Sequence, residues 1–293
     1  MPPQSRLAPV LLAMGALLIS MVSYQCGAAL AERLFPLVGA QGATAYRLGL
    51  SALLLLLLRR PWRRFRRGID WRALWGYGLA MGAMNLSFYM ALRTIPLGIA
   101  VALEFAGPLS LALAGSRRLV DFVWIALVVA GLLLLLPLRG QAHALDPLGV
   151  LYALGAGVGW ALYIVLGQKA GAAHGGDAVT WGTSVAALLA LPVGLAHAGG
   201  ALFSLPLLPA ALGVAVLSSA LPYSLEMVAL TRLPARSFSV LLALEPAIAA
   251  SAGVLLLGER LGALQWLAIG AIIVAATGTA LSVRRPVAEP LAN

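Results

Sequence analysis

The chain is a succession of apolar runs, each about as long as a bilayer is thick, parted by short polar breaks. That pattern leaves little choice of fold. A segment in hydrocarbon finds no water for its N–H and C=O groups, so its backbone must satisfy itself, as a helix does. A crossing helix needs about 20 apolar residues. Breaking the sequence at charges and Pro/Gly clusters predicts ten spans, at 8–30, 39–58, 72–92, 96–115, 121–137, 147–168, 178–196, 207–230, 236–257 and 262–282. Composition agrees: the chain is 10% charged and its mean hydropathy is +0.96, where a soluble domain carries about 25% charged residues. The first run follows Arg6. It reads as a span, not a cleaved signal peptide, because no small-residue cleavage site follows and more apolar runs do. Cys26 has no partner cysteine, so the redox compartment is open.

Loop charges predict the orientation. With a cytoplasmic N-terminus, cytoplasmic segments hold fifteen of the Lys and Arg residues and the opposite side holds four, Arg33, Arg93, Arg139 and Arg260. Both termini are therefore expected in the cytoplasm. The densest cluster, "RRPWRRFRRGIDWR" from Arg59 to Arg72, is wedged between two apolar runs. It reads as a juxtamembrane loop facing anionic headgroups. No base-reading motif accompanies it, so nucleic acid is not expected as a partner.

The chain also repeats itself. "MALRTIPLGIAVALEFAGP", Met90 to Pro108, aligns with "VALTRLPARSFSVLLALEP", Val228 to Pro246, matching Pro96 to Pro234 and Pro108 to Pro246. Two halves of five spans follow, 1–140 and 145–283, with a short cytoplasmic tail at 284–293. Five is odd, so the second copy is inverted. The predicted fold class is an all-α membrane protein of ten transmembrane helices in two inverted five-helix repeats. An inverted repeat is a transporter signature, with the substrate site near the midplane.

Polar residues within spans mark candidate sites. Asp70, Asp121, Asp146 and Asp177 fall at span ends and read as caps. Glu104 and Glu245 lie mid-span, where a charge costs about 2.5–3.5 kcal/mol and raises a functional reading; a protonated or hydrogen-bonded glutamate that fixes helix packing is the other. Pro108 lacks an N–H and so frees the Glu104 carbonyl. Pro246 does the same for Leu242, and Pro222 for Ser218. Such acceptors suit a polar cavity, although a plain packing kink fits as well. Asn85 and Tyr89 share one face of span 3. Tyr24, with Gln25 beside it, lies on span 1, and Tyr223 follows Pro222. Arg47 lies inside span 2 and needs a carboxylate or carbonyl partner, with Glu104 a candidate. A structural anchor is the other reading. Glu226 lies one turn from the cytoplasmic end of span 8 and is expected to pair locally with Arg232 or Arg236, with substrate contact the other reading. "LGAGVGW", Leu154 to Trp160, mimics a dinucleotide loop but has no strand before it. Gly155, Gly159 and Tyr163 share a helix face, so helix packing is the better reading. Trp160 and Tyr163 line either the cavity or the core.

"PLGIAVALEFAGPL", "ALGAGVGWALYIVLGQKAGAAHG" and "LPYSLEMVALTRLPARSFSVLLALEP" resemble the bacterial threonine/homoserine exporters, in the ten-helix, EamA-type branch of the drug/metabolite transporter superfamily. The resemblance runs from about Ser20 to Leu281. It implies an inner-membrane efflux carrier for small amino acids, driven by proton exchange. The expected partners are then a small amino-acid substrate, protons and membrane lipid, with no cofactor and no metal. Oligomeric state is left open. Glu104 would hold a proton and a substrate ammonium in turn, with Arg47 or freed carbonyls near the substrate carboxylate. The alternatives are efflux of another metabolite or drug, or a channel or scaffold. An intramembrane protease is not expected: no aspartate is placed beyond a span end, no histidine lies within a span, and neither HExxH nor GxSxG occurs.

Overall fold

The computed structural model describes residues 4–64, 71–95, 97–114, 119–135, 146–233, 238 and 241–257, with scattered positions from 262 to 275. Among the described residues every regular element is helical. In chain order they are α1 (Gln4–Glu32), α2 (Phe35–Arg59), α3 (Trp71–Ala91), α4 (Leu97–Glu104), α5 (Ala106–Ala114), α6 (Leu119–Leu135), α7 (Pro147–His174), α8 (Asp177–Ala198), α9 (Leu208–Ala215), α10 (Leu221–Leu230) and α11 (Glu245–Ala252). Among the described residues five stretches are long and apolar enough to cross a membrane: Leu11–Glu32, Phe35–Arg63, Pro147–His174, Asp177–Phe203 and Leu205–Leu230.

Helix ends follow local chemistry. Asp146 caps α7, accepting from the amides of Leu148 (3.2 Å) and Gly149 (3.3 Å), and Pro147 takes the first turn, where a missing N–H costs nothing. The Thr94 hydroxyl, followed by these amides, holds the Asp146 carboxyl below the usual carboxylate range. Gly175 (φ 57°) and Gly199 (φ 53°) close α7 and α8 in a region that only glycine enters freely.

Among the described residues four predicted spans depart from an unbroken α-helix. Span 2 turns at its first residue, Gly39 (φ 71°, ψ 170°). Span 4 divides at Phe105 into α4 and α5, where Pro108 cannot donate to the preceding turn. Span 8 widens into a π-turn, Val216–Ala220, between α9 and α10. Span 9 holds a 3₁₀ turn at Leu242–Leu244 and a π-turn at Gly253–Leu257. Such π-turns gather at functional sites.

Packing is close and mostly between distant parts of the chain. α2 lies along α8, α3 lies on α7 and α8, α1 lies on α10, and α4 touches α7 and α11. Glycines let these backbones approach. A methyl at Gly82 would sit 3.1 Å from the Cα of Ala186, and one at Gly159 would sit 3.0 Å from that of Met84. Gly155 meets nothing within 4 Å. Gly157, two residues on and round the far side of the helix, packs against the α4–α5 junction, and Gly159 packs on Met84. The outward faces carry bare apolar side chains such as Leu58, Leu119, Leu205 and Leu255. In water so much exposed apolar surface would drive association; in a bilayer it is the lipid-facing surface.

Candidate substrate site

Arg47, on α2, is fully buried. Its Nε donates to Ser219 Oγ (2.8 Å) and one terminal nitrogen to Tyr24 Oη (3.1 Å). The other terminal nitrogen donates to the Ser218 carbonyl (2.7 Å) and to Tyr223 Oη (3.1 Å). The guanidinium carbon lies 4.4 Å from the ring centre of Tyr24, 5.2 Å from that of Tyr89 and 5.8 Å from that of Tyr223. Aromatic faces attract a cation, more strongly when water is excluded. Glu104 is not its ion-pair partner. Among the described residues the guanidinium finds hydroxyls and a carbonyl, so the carbonyl reading is the one the geometry meets.

The three prolines resolve their missing hydrogen bonds in three ways. Around Pro222 the π-turn shifts the register by one, so both Leu217 and Ser218 stand one turn ahead of the missing N–H. Their carbonyls accept from Ser23 Oγ (2.7 Å) and from Arg47 (2.7 Å). Before Pro246 the chain tightens to a 3₁₀ turn, and the Leu242 carbonyl accepts from the amide of Glu245. The Glu104 carbonyl, freed by Pro108, lies against α7: a methyl at Gly157 would sit 2.6 Å from its oxygen. A methyl at Gly107 would run into the Gly157 carbonyl. The acceptors expected in the cavity at Glu104 and Leu242 are thus spent on helix packing and on the backbone itself.

Beside the Arg47 cluster, Glu104, Glu226 and Glu245 face one small cavity, together with Tyr24, Tyr223 and Trp160; Met84 and Val101 form its apolar wall. Its volume is about 10 Å³, room for about one water. The three carboxyls differ in their commitments. Glu226 accepts from Tyr163 Oη (2.8 Å), and Glu245 from Gln25 Nε2 (3.2 Å). Glu104 has no hydrogen-bond partner among the described residues, so both of its oxygens are free toward the cavity. A larger cavity of about 420 Å³ lies between α2, α8 and the 199–208 connector. Its walls, including Leu191, Leu195 and Phe203, are mostly apolar and carry no charge, so it holds no counter-charge for either end of a zwitterion.

Of the sequence candidates, Glu104, Glu245, Tyr24, Tyr223 and Trp160 thus reach the cavity. Asn85, Gln25 and Tyr163 stand one hydrogen bond behind it. Asn85 Nδ2 donates to Tyr223 Oη (2.6 Å), which donates back to Asn85 Oδ1 (2.9 Å). Tyr163 stacks between Tyr77 (5.1 Å) and Tyr223 (5.7 Å). The Tyr89 hydroxyl is buried without a partner, although its ring serves Arg47. Glu226 departs from expectation: it is buried and turned inward to Tyr163, while Arg232 lies beyond the end of α10, exposed. The face that 226 occupies on the helix, not its distance from the end, decides this. Arg236 lies outside the described residues. Sequence reasoning missed Ser219, Ser23, Met84 and Val101. The pair Ser218–Ser219 ahead of Pro222 was the available signal for the first.

Residues 147–281 match the EamA-like transporter family. The threonine/homoserine exporter RhtA of Escherichia coli (strain K12) is 52% identical over 286 residues, 97% of this chain and 97% of its own. The exporter of the same name from Salmonella typhimurium (strain LT2) matches to the same extent, 52% over 97% of both chains. The chain belongs to the EamA-like transporter family. It is a multi-pass protein of the bacterial inner membrane. A solved crystal structure at 17% identity superposes with a TM-score of 0.66, covering 95% of this chain and 98% of that one. That likeness speaks to the fold alone.

Proposed function

We propose that the protein is a proton-coupled exporter of small amino acids of the threonine and homoserine kind. Glu104 carries the reading. It is a buried carboxyl with no hydrogen-bond partner among the described residues, lining a small cavity between the helices of a transporter-family fold. A carrier that exchanges a proton for an amino acid needs one group that binds either cation in turn. Glu104 holds a proton in one half-cycle and the substrate ammonium in the other, and Glu226 and Glu245 add carboxyl oxygens around the site. The substrate class comes from the relatives' names. The family points to carriage, not catalysis.

The ten-span, inverted-repeat architecture with both termini cytoplasmic belongs to the same reading. Its support lies in the packing. The contact of α1 with α10 has its repeat counterpart in that of α7 with α3. Asn85 and Tyr223, 138 residues apart, hydrogen-bond to each other, and the same spacing relates Pro108 to Pro246. The family match over 147–281 is about one half long.

The test is export from preloaded vesicles across an imposed pH gradient. Glu104→Gln keeps size and hydrogen bonding but cannot ionise; it should insert normally and lose gradient-driven export. Glu104→Asp should keep part of it. Export at the wild-type rate by Glu104→Gln, at matched protein level, refutes the coupling role.

A further inference from the structure

A zwitterion entering this cavity meets three carboxyl groups. Its ammonium is well served and its carboxylate is not, so a donor is needed for that end. Freed carbonyls cannot supply it, since a carbonyl oxygen only accepts. Arg47 has the right charge but the wrong exposure: it is sealed from solvent, and Tyr24 and Tyr223 stand between it and the cavity. The two tyrosines are not equivalent. The Tyr223 proton is committed to Asn85 Oδ1 (2.9 Å). Tyr24 Oη accepts from Arg47 (3.1 Å), and among the described residues nothing accepts from it. An O–H whose oxygen accepts a charged hydrogen bond is a better donor, because chains of hydrogen bonds polarise one another.

We infer that Tyr24 is the specificity-determining contact for the substrate carboxylate, and that Arg47 is a positioning residue acting through it. This rests on the amino-acid exporter reading above. The guanidinium fixes the tyrosine oxygen from behind and passes its positive potential to the cavity as a hydroxyl proton. The buried charge never has to leave its aromatic seat, and a neutral group meets the substrate. The Trp160 indole also lines the cavity, but none of Arg47's hydrogen bonds ends on it.

The test uses the full chain in liposomes, with labelled threonine and with L-threoninamide, which keeps the ammonium and hydroxyl but has no carboxylate. Tyr24→Phe removes one hydrogen-bonding atom. A hydrogen bond to a charged group supports a change of about ten- to a hundredfold, so the KM for threonine should rise by that factor at little change in maximal rate. The KM for threoninamide should move less than about twofold. Tyr223→Phe should affect both substrates alike, its proton being spoken for. Equal effects of Tyr24→Phe on both substrates, or a carboxylate-selective effect of Tyr223→Phe or Trp160→Phe in its place, overturns the inference and leaves the exporter reading standing. Should Tyr24→Phe fail to insert, the unmodified protein decides: equal half-saturation for threonine and threoninamide means that no residue reads the carboxylate. A wild-type protein that moves neither compound overturns the exporter reading as well.

Discussion

Adding one methyl at three neighbouring glycines of α7 should separate the first from the other two. A glycine inside a helix costs about 1 kcal/mol relative to alanine, so Gly→Ala gains up to that much wherever there is room. Gly155 has open space around it, and Gly155→Ala should be neutral to stabilising by up to about 1 kcal/mol. At Gly157 the new methyl would sit 2.6 Å from the Glu104 carbonyl oxygen and 3.4 Å from the carbonyl carbon. Those are backbone atoms and cannot swing aside. Overpacking of this kind costs about 1–3 kcal/mol, which matches or exceeds the propensity gain of about 1 kcal/mol, so Gly157→Ala should destabilise by up to roughly 2 kcal/mol net. At Gly159 the methyl meets the Met84 backbone at 3.0 Å and the Met84 Cβ at 2.9 Å, and the sign should again be negative. The shift at 157 also pushes the end of α4 outward and takes Glu104 with it, so export should fall further than stability. Thermal unfolding of the purified protein in detergent, with threonine export in proteoliposomes, reads both. A Gly157→Ala protein as stable and active as Gly155→Ala would refute the claim that the α4–α5 junction seats Glu104 on α7.

Two more tests follow from the same contacts. Ser23→Ala removes the donor to the part-buried Leu217 carbonyl beside Pro222; an orphaned buried acceptor costs about 1–3 kcal/mol, so the loss here should fall at or below about 1 kcal/mol, seen as a lower unfolding midpoint, and an unchanged midpoint would show that water already serves this carbonyl. For orientation, a cysteine at Gly200, where a side chain meets nothing within 4 Å, should react with an impermeant thiol reagent in intact cells once Cys26 is replaced by alanine; labelling only after lysis would reverse the proposed topology.

How far the sequence carries depends on whether an interaction is local. Glu104, Glu245 and Arg47 stood out because a charge within an apolar run conflicts with its surroundings wherever the rest of the chain lies. Pro108 and Pro222 revealed where a helix would lose a hydrogen bond, and the structure breaks or widens both helices there. The partners were not legible. Arg47 reaches Ser218 across 171 residues and Tyr223 across 176, and no local pattern encodes such a pairing. Glu226 shows the converse. Nearness in sequence suggested Arg232, but the helix turns that carboxyl toward α7. Gly157 was passed over for Gly155 because facing was judged within one helix, whereas the close approach is set by the kinked neighbour. The Asn85–Tyr223 pair was within reach: the spacing that matches Pro108 to Pro246 also matches these two.

That pair has a thermodynamic meaning under the inverted-repeat reading. If the two halves trade conformations between inward- and outward-open states, most contacts of one state are replaced in the other by their repeat counterparts. A contact between counterparts has nowhere to go: Asn85 with Tyr223 maps onto Tyr223 with Asn85. Its free energy enters both states equally and cancels from the equilibrium between them, since only differential interactions shift populations. The bond acts as a fixed point of the exchange, holding the halves in register without favouring either side of the membrane.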